Sequence, residues 1–207
     1  EYKARFALGS VFVFFGEYYI YIIQTKEKYA MEKNLTKTRI LVECAILIAT
    51  SYQLSFIKLW PMPMGGSVTL VSMLPIIIIG LRHGPVWGLC SGFAYSILQF
   101  IQSPYFLTPF QFLLDYVLAF SALGLSGFFK GMKYGFYAGS VVAIGGRFVS
   151  SFLSGVIFYG MYAADYGFAS PYTYSLVYNG SYLLVELILT LIIGTILIKI
   201  PRLKLLG

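Results

Sequence analysis

The chain alternates long apolar stretches with short polar ones. Six apolar stretches stand out, at residues 40–56, 68–81, 86–101, 110–129, 136–162 and 174–198. They are too long, and alternate too rarely, for barrel strands. A bilayer core takes about 20 apolar residues per helix. The pattern therefore predicts an all-α integral membrane protein of six transmembrane helices, spanning residues 31–207. Residues 1–30 stand apart. They are apolar from Phe6 to Ile23 except at Glu17, with Lys3, Arg5, Lys26 and Lys28 at the flanks. They read either as an additional helix or as sequence added ahead of Met31.

Composition agrees with the pattern. Hydrophobic residues make up 58% and charged residues 11%, against about 25% charged in a soluble domain. The net charge of +7 does not mark a nucleic-acid partner, because the basic residues lie at the ends of apolar stretches. Lys33, Lys37, Arg39, Arg82, Lys130, Lys133, Lys199, Arg202 and Lys204 fall on one side of a six-span chain, and Lys58 falls on the other. That asymmetry predicts cytoplasmic ends for the six-span unit. The opposite loops, 59–67, 102–109 and 163–173, are rich in Pro, Gly and aromatics. The first of them suits a gate over a ligand. Cys44 and Cys90 sit within apolar stretches and read as packing residues.

Catalytic chemistry is hard to assemble from these residues. The chain has one histidine, His83, so a metal cluster or Ser/His dyad is not expected, and no phosphate-binding loop for ATP occurs. No catalytic residue, metal or cofactor is predicted. Ionisable groups do fall within the predicted spans: Glu43, Asp115, Arg147 and Glu186. Such groups cost about 2.5–3.5 kcal/mol each at a helix centre and mark candidate sites. Glu43 lies near a helix end and can reach the headgroups. The others suit either an internal ion pair of Arg147 with Asp115 or Glu186, or a polar ligand pocket. The stretch 146–159 favours the pocket. Arg147, Ser151, Gly155 and Tyr159 recur at four-residue intervals and so share one helix face. A charge, a hydroxyl, a gap and a ring suit a planar ligand, although small residues also serve helix packing. The aromatic residues near the outer loops fit either an interfacial belt or a cage for a cation.

Four stretches carry a family resemblance: MPMGGSVTLVSMLPI from Met62, LLDYVLAFSALGLSG from Leu113, the Arg147-to-Tyr159 portion, and YSLVYNG from Tyr174. Together the chain from Met31 onward resembles the thiamine-specific S component of energy-coupling factor (ECF) transporters. The resemblance implies a six-helix S-component bundle in the cell membrane that captures thiamine from outside and is not an enzyme. It implies Asp115 as reader of the aminopyrimidine, with Tyr116 beside it. It places Tyr105, Tyr174 and Asn179 in the pocket, with Tyr159 stacking on the ligand and Arg147 at a basic position. Gly155 would let the ligand lie close. Ser151 departs from the family, which usually has histidine there. That departure keeps open another small vitamin or a thiamine precursor as ligand. A structural or assembly protein of the membrane is the alternative of another class. Ala45 and Ala49 form an A-x-x-x-A pair. In such a family that pair implies docking on the ECF transmembrane coupling subunit, which joins two cytoplasmic ATPase subunits.

Overall fold

The structure is a computed structural model that describes residues 37–62, 66–105 and 108–199. Residues 1–30, where an additional helix or added sequence is expected, lie outside them. Six main helices, a single 3₁₀ turn at Gly160–Tyr162 and one small hairpin form the described chain. Helix α1 is Lys37–Ser55, strands β1 and β2 are Lys58–Pro61 and Ser67–Thr69, and α2 is Leu74–His83. Helix α3 is Pro85–Gln102, α4 is Pro109–Phe129, α5 is Gly135–Phe158 and α6 is Pro171–Lys199.

The expected helix over 68–81 is shorter than its apolar run. Val68 and Thr69 enter β2, which pairs antiparallel with β1 through Trp60 opposite Val68 and Pro61 opposite Ser67. β-Branched residues suit a strand. The chain then turns through Val71, whose φ of 48° is unusual for a β-branched side chain. Pro75 opens α2, where a missing N–H removes nothing.

Helix α2 has 10 residues, about 15 Å at 1.5 Å per residue, half of a bilayer core. It is apolar all round and enclosed, with Ile76, Ile77 and Ile79 at 0% exposure. Helices α1, α3, the end of α4 and α5 pack around it.

Among the described residues, α4, α5 and α6 are long and apolar enough to cross a membrane. Helices α1 and α3 have comparable length, 19 and 18 residues. Their apolar character is diluted by Lys37, Arg39 and Glu43 in α1 and by Tyr95, Ser96, Gln99 and Gln102 in α3. Several of the α3 residues face a cavity rather than lipid. The outer face of α6 exposes Leu184, Ile188, Ile192 and Ile196 at four-residue spacing, an apolar stripe fit for acyl chains.

Helix α4 is not uniform. It begins as an α-turn, passes through a π-helical segment at Leu113–Leu118, and ends as 3₁₀-helix at Ala122–Phe129. Its last part lies directly on α3. A Cβ added to Gly124 would strike the backbone of Gly88 and Leu89, and one added to Gly88 would strike Gly124 and Gly80. Small residues let these backbones touch. On the side away from the hairpin, Glu43 of α1 binds Arg82 at 2.8 Å and His83 at 3.1 Å at the end of α2. Glu43 is therefore a helix-to-helix tie rather than a group reaching for headgroups. His83, expected in a loop, is the last residue of α2.

Candidate functional site

A cavity of about 470 Å³ opens between the hairpin and α3, α4, α5 and α6. That size is within the roughly 300–1,000 Å³ range of small-molecule sites. Tyr105, Asp115, Tyr116, Arg147, Ser151, Gly155, Tyr159, Tyr174 and Asn179, the residues predicted for the site, all line it.

Helix α5 supplies the graded face. Arg147 holds its guanidinium 4.3 Å from the centre of the Phe120 ring, a cation–π contact between α5 and α4. Its Nε is buried without a hydrogen-bond partner among the described residues. The ion pair with Asp115 or Glu186, the alternative to a pocket, is not formed: the ion pairs among the described residues are those of Glu43. One turn on, Ser151 is 8% exposed. Gly155 combines the two roles considered for it. It lines the cavity, and a Cβ there would collide with Ser175 Oγ and come within 3.1 Å of Asn179 Nδ2. Its bareness is thus required by the α5–α6 contact. Tyr159 follows the helix end and stacks with Tyr105 at 6.2 Å and 27°.

Helix α4 supplies the carboxylate. Asp115 and Tyr116 are consecutive, and an α-helix would point them about 100° apart. The π-helical segment that contains them is wider, and both reach the cavity. Such segments are frequent at functional sites. Ser150 of α5 donates to the Leu114 carbonyl at 2.7 Å inside this segment and ties it to α5. The Asp115 carboxylate lies near Ser154 and Gln111, and near Arg147 beyond ion-pair reach. Tyr116 donates to the Ser103 carbonyl at 2.6 Å, fixing the loop between α3 and α4.

Helix α6 completes the wall. Tyr174 is 3% exposed and stacks on Tyr166 at 5.6 Å and on Tyr178 at 5.8 Å. Asn179 is turned mostly to its own protein. Its Nδ2 donates to Ser151 O, Ser175 O and Ser175 Oγ, and its Oδ1 accepts from Tyr182. That bonding makes it a positioning residue for α5 and α6.

Sequence reasoning did not single out the ties between hairpin and α6. The Gly66 N–H donates to Tyr178 Oη at 3.0 Å. Thr69 donates through both N and Oγ1 to Glu186 Oε1, each at 2.5 Å. Gln111, fully buried, was also missed, since an amide in the first turn of an apolar helix reads as an end residue. The signal available for α6 was the four-residue repeat Tyr174, Tyr178, Tyr182 and Glu186. Away from the cavity, Ala45 is exposed on α1 and Ala49 partly so.

Comparison with known proteins agrees with this arrangement. The sequence model of the family described as thiamine transporter protein matches residues 41–205. The thiamine transporter ThiT of Bacillus subtilis (strain 168) is 34% identical over 182 residues, covering 79% of this chain and 92% of that protein. The thiamine transporter ThiT of Lacticaseibacillus paracasei is 29% identical over 185 residues, covering 79% of this chain and 89% of that protein. The solved structure of ThiT from Listeria monocytogenes superposes with a TM-score of 0.69 at 30% identity, over 81% of this chain and 96% of that one. With a matched family model, a matched helical fold and a cavity in the expected place, the chain belongs to the thiamine transporter protein family.

Proposed function

We propose that this membrane protein captures thiamine at an outward-facing pocket, as the S component of an ECF importer. The observation that carries the reading is a single cavity with Asp115 on one wall and the stacked Tyr105–Tyr159 pair on another. Thiamine joins a planar aminopyrimidine to a cationic thiazolium. A carboxylate accepts from the amino group in a charge-assisted bond. Tyrosine rings offer stacking faces to either ring. The remaining site residues form the walls: Arg147 and Ser151 below, Gly155 alongside, Tyr116, Tyr174 and Asn179 as positioning groups.

The β1–β2 hairpin is the gate in this reading. It forms part of the cavity wall and is bonded to α6 through Gly66, just ahead of β2, and Thr69, the last residue of β2. The six-helix unit lies in the cell membrane with both ends cytoplasmic, which the distribution of lysine and arginine supports. Ala45, exposed on α1, and Ala49, partly exposed, are the docking face for the transmembrane coupling subunit, and two ATPase subunits supply the energy.

Calorimetric titration of thiamine into ligand-stripped protein tests the reading. Tight saturable binding supports it, and a folded protein that takes up no thiamine refutes it. Ser151 favours a second reading, since a short hydroxyl stands where the resemblance implies an imidazole. Competition by thiamine phosphates and by the free pyrimidine decides between thiamine and a close relative of it.

A further inference from the structure

Tyr174, Tyr178, Tyr182 and Glu186 lie on one face of α6 at four-residue spacing, and all four line the cavity. The rings are in contact along the row: Tyr174 with Tyr178 at 5.8 Å, and Tyr178 with Tyr182 at 6.0 Å and 71°. The row ends on a carboxylate. Glu186 is 0% exposed. Its Oε1 accepts both Thr69 bonds, while its Oε2 has no partner among the described residues. A buried carboxylate oxygen left unpaired is costly, and the deficit is removed by a cation beside it. The two basic residues of the cavity do not fill that place. Arg147 on α5 acts on Glu186 electrostatically but lies over the Phe120 ring beyond ion-pair distance, and Lys58 sits on the exposed strand β1.

We propose that Glu186 is the anionic subsite for the cationic ring of the ligand, reached along the tyrosine row of α6. The inference rests on the reading that the pocket takes thiamine, and it assigns the two carboxylates to different rings. Asp115, on α4 beside Gln111 and the Tyr105–Tyr159 stack, faces the neutral aminopyrimidine. Glu186, on α6 below Tyr178 and Tyr182, faces the thiazolium. Tyrosine faces attract a planar cation, and the carboxylate supplies its counter-charge. The pocket would then discriminate by charge as well as by shape.

The test compares thiamine with its neutral thiophene analogue, in which the charged ring nitrogen is replaced by carbon. Both are titrated into ligand-stripped wild-type protein and into Glu186→Gln. Glutamine retains an oxygen for the two Thr69 donors, keeps the shape, and replaces the charged Oε2 by a neutral NH₂. The wild type is expected to prefer thiamine to the analogue by about tenfold or more. In Glu186→Gln the thiamine affinity should fall by about tenfold, with the analogue's within about threefold of wild type. Equal loss of both ligands would make Glu186 a hairpin fastener alone and overturn the proposal. A wild-type preference near unity overturns it too, and needs no variant to fold. A folded wild type that binds neither compound refutes the thiamine reading itself, a result distinguishable from the other two.

Discussion

The side-chain amide of Gln111 donates to the Tyr159 hydroxyl at 2.7 Å and joins the first turn of α4 to the end of α5. Gln111 is itself placed by its helix cap, since its backbone N–H donates to Thr108 Oγ1. The ring proposed to stack on the ligand is therefore held by a residue at 0% exposure. Gln111→Leu should leave the half-buried Tyr159 hydroxyl without its donor, at about 1 kcal/mol for a lost hydrogen bond. Thiamine affinity should fall by roughly fivefold to tenfold. The double variant Gln111→Leu/Tyr159→Phe should recover much of that loss, because it removes both partners. Calorimetry on the four proteins completes the cycle, and additive losses would show that the bond is irrelevant to binding.

Asp115 offers a sharper contrast. A hydrogen bond to a charged group contributes about 1.5–3 kcal/mol, so Asp115→Ala should weaken thiamine by roughly 10- to 100-fold. Asp115→Asn preserves shape but presents an amide to the ligand's amino group, and should lose nearly as much. The melting temperature in detergent should stay the same or rise for both, since Asp115 forms no ion pair that folding would lose. Marked destabilisation by either variant would instead make Asp115 a structural residue.

Much of this site was legible because helical periodicity survives in a membrane protein. The four-residue spacing of Arg147, Ser151, Gly155 and Tyr159 predicts a shared face, and all four line one cavity. The six apolar runs likewise locate six helices. What was not legible depends on irregular backbone. Val68 and Thr69 open the same largely apolar run as the α2 residues that follow, so hydropathy alone merges a strand into a helix. The π-helical segment that brings both Asp115 and Tyr116 to the cavity has no sequence signature. Nor could an isolated glutamate in an apolar run show that it would bond a strand 117 positions away, at Thr69.

The hairpin bond to Tyr178 predicts a kinetic effect. Tyr178→Phe removes the acceptor for the Gly66 N–H while keeping the ring that stacks on Tyr174. A net contribution of about 1 kcal/mol corresponds to roughly fivefold. That change should appear mainly as faster thiamine dissociation, since interface changes act chiefly on off-rates. Trp60 lies in β1 of the same hairpin, so stopped-flow tryptophan emission can follow the release. An unchanged dissociation rate would show that this bond does not restrain the gate.

Gly124 tests the frame rather than the site. It lies in the 3₁₀ part of α4, where an added Cβ would meet the backbone of Gly88 and Leu89 in α3. Backbone atoms cannot step aside as a flexible side chain can. Gly124→Ala must therefore push α4 away from α3, and such overpacking typically costs about 1–3 kcal/mol. The same change at Gly145, where nothing lies within 4 Å of the added atom, should be neutral or slightly stabilising, because alanine favours a helix by about 1 kcal/mol over glycine. Thermal unfolding of the two variants in one detergent should separate them by several degrees, with Gly124→Ala lower. Equal melting temperatures would mean that α3 and α4 are not in the direct backbone contact described above, and the wall that carries Asp115 would then need another support.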